Sequence, residues 1–364
     1  MKLRLFLQTY APLIAAAAMM VVKPFKFLHG LFPKRMRDML GSWDMKMLST
    51  FVFSGSKYAY IDQPCTMTNP PSYEPLIDAP EELRLTSDDI SSFYTKGYIG
   101  PFTLFSPEEM KEIGERVMKE IEQSSKIYGN EEYQRFRDRH LDCESVYRLV
   151  THEALTERLA QILGPDLTLW RSQVFLKPPG APEVTWHQAS TYLSEELYRA
   201  TLYPPNRNKL FQLTTWLAFD DVDKENGYLQ FIPGTQRSIN KIRIGGKEGE
   251  SFGEAKFKLD YDIDPEKVVG MNMRAGEFVV FTERMIHGSP PNRSNRRRWG
   301  MAFRAIQPDV RVYSPEDTMH SVAYLRQDFD LKDWGAIMIR GTDKVGVNKI
   351  IEPFPELRVT SGAA

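Results

Sequence analysis

Thr185-Trp186-His187-Gln188-Ala189-Ser190-Thr191-Tyr192 is answered by a second histidine in His287-Gly288-Ser289-Pro290, one hundred positions downstream. Histidine, one residue, a carboxylate and then a distant histidine is the order of the facial triad that holds non-haem Fe(II) and leaves coordination positions open. Here the carboxylate position is Ala189, and a methyl group cannot bind a metal. Either the site is dead or something from solution takes the vacated position. Chloride would do so and restore the lost negative charge.

The rest of the chain sets the frame for that pair. At 364 residues it can bury a substantial core as one large domain or two modest ones. Hydrophobic content of 42% and charged content of 26% are ordinary for a globular protein, and a net charge of −1 gives no sign of nucleic-acid binding. Two cysteines, Cys65 and Cys143, do not make a disulfide framework and fit a reducing compartment. Six histidines are present, and a lone histidine is more often structural than ligating, so the case for His187 and His287 rests on their surroundings.

Residues 5–22 are mostly apolar and follow Lys2 and Arg4, but Gln8, Thr9 and Pro12 weaken a transmembrane reading. Lys23, Lys26, Lys34, Arg35 and Arg37 then alternate with Phe25, Phe27, Leu28, Leu31 and Phe32, a mixture suited to a helix lying in a membrane interface. The expectation is an intracellular chain that associates with membranes through residues 1–48. The alternative is a helical extension packed on the core.

Prolines 64, 70, 71, 75 and 80 mark residues 63–85 as an extended linker, which divides the chain into an extension, 1–85, and a folded unit, 86–364. Thr86-Ser87-Asp88-Asp89 starts a helix that Gly97 ends, and Ser106-Pro107-Glu108-Glu109 is a capping box ahead of Met110, Ile113, Val117 and Ile121 at helical spacing. Thr151 is read as the start of another helix, with Leu155, Leu159, Ile162 and Leu163 inward and Gly164 closing it. From Leu167 the pattern turns to β-type runs: Leu167–Leu176, Gln212–Phe219, Tyr228–Ile232, Glu277–Phe281 and Trp299–Ile306. Helices first and strands afterwards predict a mostly β fold with flanking helices, a jelly roll of two packed sheets.

Within the last run alternate residues share a face, so Arg298, Gly300, Ala302 and Arg304 point together while Trp299, Met301 and Phe303 fill the other side. Two guanidiniums bracket two small side chains, which leaves room for a bound dicarboxylate. Arg296 and Arg297 have no arginine partner at the same six-residue spacing. Arg298 is therefore the expected bidentate clamp on a carboxylate.

These segments resemble the phytanoyl-CoA dioxygenase family of Fe(II)/2-oxoglutarate oxygenases, whose fold is a double-stranded β-helix of the jelly-roll or cupin kind. Most of that family has His-x-Asp where this chain has His187-Gln188-Ala189. From about Thr86 to Val347 the chain is more similar to the syringomycin-type non-haem iron halogenases. It shares with them Trp-His-Gln-Ala, the run Asn226-Gly227 through Leu229-Gln230-Phe231-Ile232-Pro233-Gly234-Thr235-Gln236, the two arginines six apart, and Gly335-Ala336 followed by an apolar run to Gly341.

The resemblance implies His187 and His287 as iron ligands and 2-oxoglutarate held by Arg298, with Trp216 and Thr185 lining its pocket; a core role for Trp216 stays open. It further implies Arg304 near the metal, Ala189 at the catalytic vacancy, and a halide site shaped by Ala189, Ser190, Thr191 and Tyr192. Chloride, or bromide, would take one iron position and O₂ another, and a C–H bond would become C–Cl. Two other readings remain: a hydroxylase with water at the vacancy, and a ligand-binding pseudoenzyme. The expected substrate is a free small molecule or an acyl or aminoacyl group tethered to a carrier protein, and the apolar N-terminus points to lipid-like compounds. Residues 190–213, with Tyr192, Tyr198, Tyr203 and Pro204-Pro205, are read as a lid that sets the choice.

Overall fold

The computed structural model describes residues 2–59, 63–64, 73–123, 125–129, 134–188, 200–244, 257–322 and 327–357. Seven α-helices lie among these residues: α1 (Lys2–Val22), α2 (Lys34–Ser42), α3 (Met45–Phe53), α4 (Ser87–Lys96), α5 (Pro107–Ile121), α6 (Glu144–Val150) and α7 (Glu153–Leu163). Ten strands build two facing sheets: β1 (Tyr98–Thr103), β2 (Leu167–Lys177), β3 (Val184–His187), β4 (Gln212–Ala218), β5 (Leu229–Ile232), β6 (Val269–Met271), β7 (Glu277–Thr282), β8 (Ile286–Ser289), β9 (Arg298–Ile306) and β10 (Ile337–Arg340). The major sheet runs in the order β10-β2-β9-β4-β7-β1 and the minor sheet in the order β6-β5-β8-β3, all neighbours antiparallel. This is the jelly-roll architecture expected from the strand spacing.

Alternation along the strands splits the apolar residues into two cores. Trp299, Met301, Phe303, Leu213, Leu217 and Val280 point outward from the major sheet and pack beneath the helices with Met110, Val117, Leu155 and Leu159. Trp216, Ala218, Val279, Phe281, Ala302 and Phe231 form a second cluster between the sheets.

The helix signals hold locally. Thr86 and Asp89 form a capping box at the start of α4, Gly97 ends it at φ 90°, and Ser106 and Glu109 cap α5 in the same way. Thr151 is a correction: the helix begins at Glu153 with His152 as its cap, while the Thr151 hydroxyl donates to the Tyr147 carbonyl and ends the short α6. At two turns, α6 is too short to show its periodicity above the background of the sequence.

The described part of the proline-rich stretch is fastened along α7. Leu76 N–H donates to the Gln161 carbonyl, and the Gln161 amide accepts from Leu85 N–H and donates to the Leu83 carbonyl. The N-terminal helices are packed as well: Ala16, Met19, Leu40, Trp43 and Leu48 are buried in one cluster with the outer layer of the jelly roll. Tyr58–Ala59 pairs with Ile242 and Arg243, and Gln63–Pro64 with Ser238–Ile239. The packed-extension alternative therefore describes these helices. No helix among the described residues is long and apolar enough to cross a membrane.

Candidate active site

The two histidines meet because β3 and β8 are neighbours in register, His287 lying opposite His187, with their ring centroids 4.2 Å apart. A run that looked only like a shared motif sets that register. Thr235 Oγ1 donates to the Ile232 carbonyl at 2.7 Å and accepts from the Ile286 N–H at 3.1 Å, one residue before His287. Gln236 donates to the Tyr94 and Thr95 carbonyls at the end of α4. The Pro-Gly-Thr-Gln turn thus ties β5, β8 and a helix end together.

Each imidazole is oriented by its own backbone. His187 Nδ1 lies 2.8 Å from the Thr185 carbonyl and His287 Nδ1 lies 2.8 Å from the Met285 carbonyl. A carbonyl only accepts, so Nδ1 carries the proton and Nε2 keeps its lone pair, the tautomer of a metal-ligating histidine. Burial, with the Arg304 guanidinium adding to it, lowers the His187 pKa to about 4. His287 is held well below its ordinary value by burial, then by His187, and again by Arg304. Both rings are thus neutral at physiological pH. Phe281 closes one side, 5.1 Å from the His287 ring.

Strand alternation sends Gln188 the other way. Its amide nitrogen donates to the Ser238 carbonyl at 2.8 Å and the Arg284 carbonyl at 2.5 Å, and its oxygen accepts from Asn240 N–H. Ala189, Ser190, Thr191 and Tyr192 lie outside the described residues, as does the lid as far as residue 199. The lid's remainder is pinned by Leu202–Tyr203 pairing with Arg311–Val312. Among the described residues no group of three His, Cys, Asp or Glu side chains is placed to hold a metal. The pair of imidazoles has no carboxylate beside it there.

The arginine run separates as its spacing predicted. Arg296 pairs with Asp223 and Arg297 with Asp220 on the surface. Arg298 turns inward, is 4% exposed, and leaves its Nε without a partner. Its Nη2 donates to Ser289 Oγ at 3.3 Å. Burial lowers its pKa to about 10, so it stays charged at neutral pH.

Sequence reading missed the group beside it. Lys177 is the register partner of Arg298 across β2 and β9, and it too is 4% exposed. Its ammonium donates to Ser289 Oγ at 2.8 Å and to the Pro290 carbonyl. The Ser289 hydroxyl donates to the Gly227 carbonyl at 2.8 Å, so its oxygen accepts from both Lys177 and Arg298. Burial, then the neighbouring Arg298, pulls the Lys177 pKa down to about 7, with Glu183 acting weakly in the other direction. Two buried cations on one oxygen, one with an orphaned donor, fit the carboxylate of a ligand.

The small residues of β9 play a different part from the one expected. A Cβ on Gly300 would lie 2.1 Å from the Trp216 ring, so the space over Gly300 belongs to the indole and is not left open for a dicarboxylate. Trp216 is 3% exposed and lies 5.5 Å below the Arg298 guanidinium, serving as core and as pocket wall together. Thr185 enters the site through its carbonyl on His187. Arg304 is close enough to both histidines to depress their pKa values. A cavity of about 1080 Å³ lined by Phe105, Tyr147, His152 and Arg340 lies among the helices, away from all these groups.

The profile of the phytanoyl-CoA dioxygenase (PhyH) family matches residues 93–300, more than half of the chain, from within α4 to just past the β9 arginine Arg298. The chain belongs to this family. Among its relatives is a probable alpha-ketoglutarate-dependent hypophosphite dioxygenase of Stutzerimonas stutzeri, 28% identical over 223 residues, which are 57% of this chain and 73% of that protein. Phytanoyl-CoA dioxygenase domain-containing protein 1 of Rattus norvegicus is 27% identical over 176 residues, 47% of this chain and 56% of the rat protein. The chain thus spans little more than half the length of that relative. In structure it is similar to CytC3 with Fe(II) and alpha-ketoglutarate, with a TM-score of 0.59 and 26% identity over 76% of this chain and 94% of the other. Family and fold together make this chain an oxygenase of the PhyH type.

Proposed function

We propose that the chain is an Fe(II)- and 2-oxoglutarate-dependent halogenase that replaces an aliphatic C–H with C–Cl. The observation that carries this reading is Ala189 at the carboxylate position of an otherwise retained site. Two tautomer-fixed imidazoles and a buried carboxylate-binding pair accompany it. A decayed site would have no reason to keep a buried guanidinium whose Nε has no partner, because an incompletely satisfied buried cation is costly.

His187 and His287 would hold iron through Nε2, while Arg298 and Lys177, braced on the Ser289 hydroxyl, would hold the distal carboxylate of 2-oxoglutarate over Trp216. When bound, iron with 2-oxoglutarate and O₂ supplies hydrogen abstraction from an unactivated carbon, and chloride in the iron shell supplies the new substituent. The protein's part is positional: it would hold the substrate carbon so that the halide, and not hydroxyl, is transferred to it. Arg304, set against both histidines, adds positive charge where an anion would replace the missing carboxylate. Phe175, on the same face as Lys177 and 40% exposed, and Val184, 38% exposed at the start of β3, give the mouth an apolar rim suited to an aliphatic acyl chain.

Anaerobic reconstitution with Fe(II), 2-oxoglutarate and chloride, followed by O₂, tests the reading. A chlorinated product, replaced by a brominated one when bromide is supplied, is expected. Hydroxylated product alone, at every halide concentration, would replace halogenase by hydroxylase.

A further inference from the structure

Helix α1 is apolar on its outer face as well as its inner one. Ala16 and Met19 are buried against the rest of the protein, while Tyr10, Ile14 and Val21, at helical spacing on the opposite side, are 46%, 64% and 70% exposed. An amphipathic surface helix puts polar residues there. The stripe runs on past Pro24 into a 3₁₀ turn, Lys26–Leu31, where Phe25, Phe27 and Leu31 are 50%, 81% and 79% exposed. Phe25 and Phe27 touch edge to face with centroids 6.3 Å apart, so the turn presents a preformed apolar knob. Isolated exposed apolar residues need no explanation, but a contiguous stripe of this kind does.

Charge says what covers it. Residues 1–37 carry seven lysines and arginines and no aspartate or glutamate, in a chain whose overall charge is −1. Lys26 is exposed in the middle of the knob. Lys23 folds inward, its ammonium donating to the Leu40 carbonyl at 2.6 Å and fastening α1 to α2. A protein partner would complement this surface only with an apolar patch ringed by acidic side chains, whereas an anionic lipid leaflet offers both features everywhere.

We infer that the α1 stripe and the Phe25–Leu31 knob form a docking surface for an anionic membrane, with α1 lying along the headgroups and the knob inserted between lipids. The helix lies on the membrane and does not span it, because its inner face is committed to Trp43, Leu48 and their neighbours in the core. The extension is also stitched beside the site, since Gln63–Pro64 pairs with Ser238–Ile239 and the Ser238 carbonyl accepts from Gln188, next to His187. A docked enzyme therefore holds its active site at a fixed place relative to the leaflet.

The test is co-sedimentation of the full chain with phosphatidylcholine vesicles, with and without phosphatidylglycerol. Wild type should pellet with the phosphatidylglycerol vesicles and be released by salt, and the double variant F27S/L31S should bind at least tenfold more weakly with unchanged thermal stability. Lys26→Glu, which leaves the apolar surface intact, should also weaken binding. Failure of wild type to pellet with anionic vesicles would overturn the inference, as would equal binding of F27S/L31S. A concentration-dependent dimer that F27S/L31S dissolves would give the surface to a second copy of the chain and overturn it too.

Discussion

Replacing Lys177 with methionine should stabilise the protein without ligand and weaken it toward 2-oxoglutarate, two effects of opposite sign from one side chain. The ammonium is 4% exposed and faces Arg298, and its pKa falls from 10.5 to about 7. One pKa unit corresponds to about 1.4 kcal/mol, so the ionised form carries a burial cost of at most about 5 kcal/mol. Methionine removes that cost but takes the ammonium donor from the Pro290 carbonyl and leaves Ser289 Oγ with Arg298 alone, returning roughly 1–3 kcal/mol. A net gain at neutral pH follows, with a ceiling of roughly 2–4 kcal/mol that solvent screening lowers.

The pH dependence has a definite sign. Between pH 7 and 10.5 the unfolded chain holds a proton on Lys177 that the folded chain has lost, so wild-type stability rises through this window. The methionine variant lacks that rise. In the other direction, the lost ammonium–carboxylate contact should weaken 2-oxoglutarate binding roughly tenfold to a hundredfold. Thermal shift and calorimetry with Mn(II) in place of Fe(II) read both quantities. The 2-oxobutyrate anion, which lacks the distal carboxylate, should bind both proteins equally. A variant that melts lower and binds 2-oxoglutarate as wild type does would reduce Lys177 to a strut between β2 and the Ser289 turn.

His187→Ala or His287→Ala should abolish Fe(II) binding in metal titrations, whereas His140→Ala, a buried ring bonded to Ser172, should leave it intact. Arg298→Ala should raise the 2-oxoglutarate dissociation constant roughly tenfold to a hundredfold, and Arg297→Ala, paired on the surface with Asp220, should not change it. The buried neutral histidines set an acid limit: His140 and His187 both have folded pKa values of about 4. Unfolding by urea should therefore become easier as pH falls from 6.5 toward 4, where only the unfolded chain takes up those protons. Trp43→Ala should cost about 3–5 kcal/mol in the same assay, because that side chain is 1% exposed and packs edge to face on Phe51 of α3.

What the sequence disclosed followed from short-range rules. Alternation, with Gly300 and Ala302 marking the face and Arg304 six residues on, put Arg298 inside and Arg297 outside, and capping residues placed both ends of α4. The rules failed where a second strand decides the outcome. Alternation says that Gly300 faces the pocket but not that Trp216, opposite Ala302 on the neighbouring strand, fills the space above it. Lys177 lies one residue past the run Leu167–Leu176; only the pairing of β2 with β9 sets it beside Arg298. The extension was ambiguous for a related reason. Its helix α1 is apolar on both faces, so composition could not say which face the core takes.

The chloride response at Ala189 tests the central claim most directly. Absorption of the anaerobic Fe(II)·2-oxoglutarate complex should shift when chloride is added to wild type. Ala189→Asp should abolish that shift, because its carboxylate takes the same position with the same charge. A wild-type complex blind to chloride, together with hydroxylation restored by Ala189→Asp, would contradict the account.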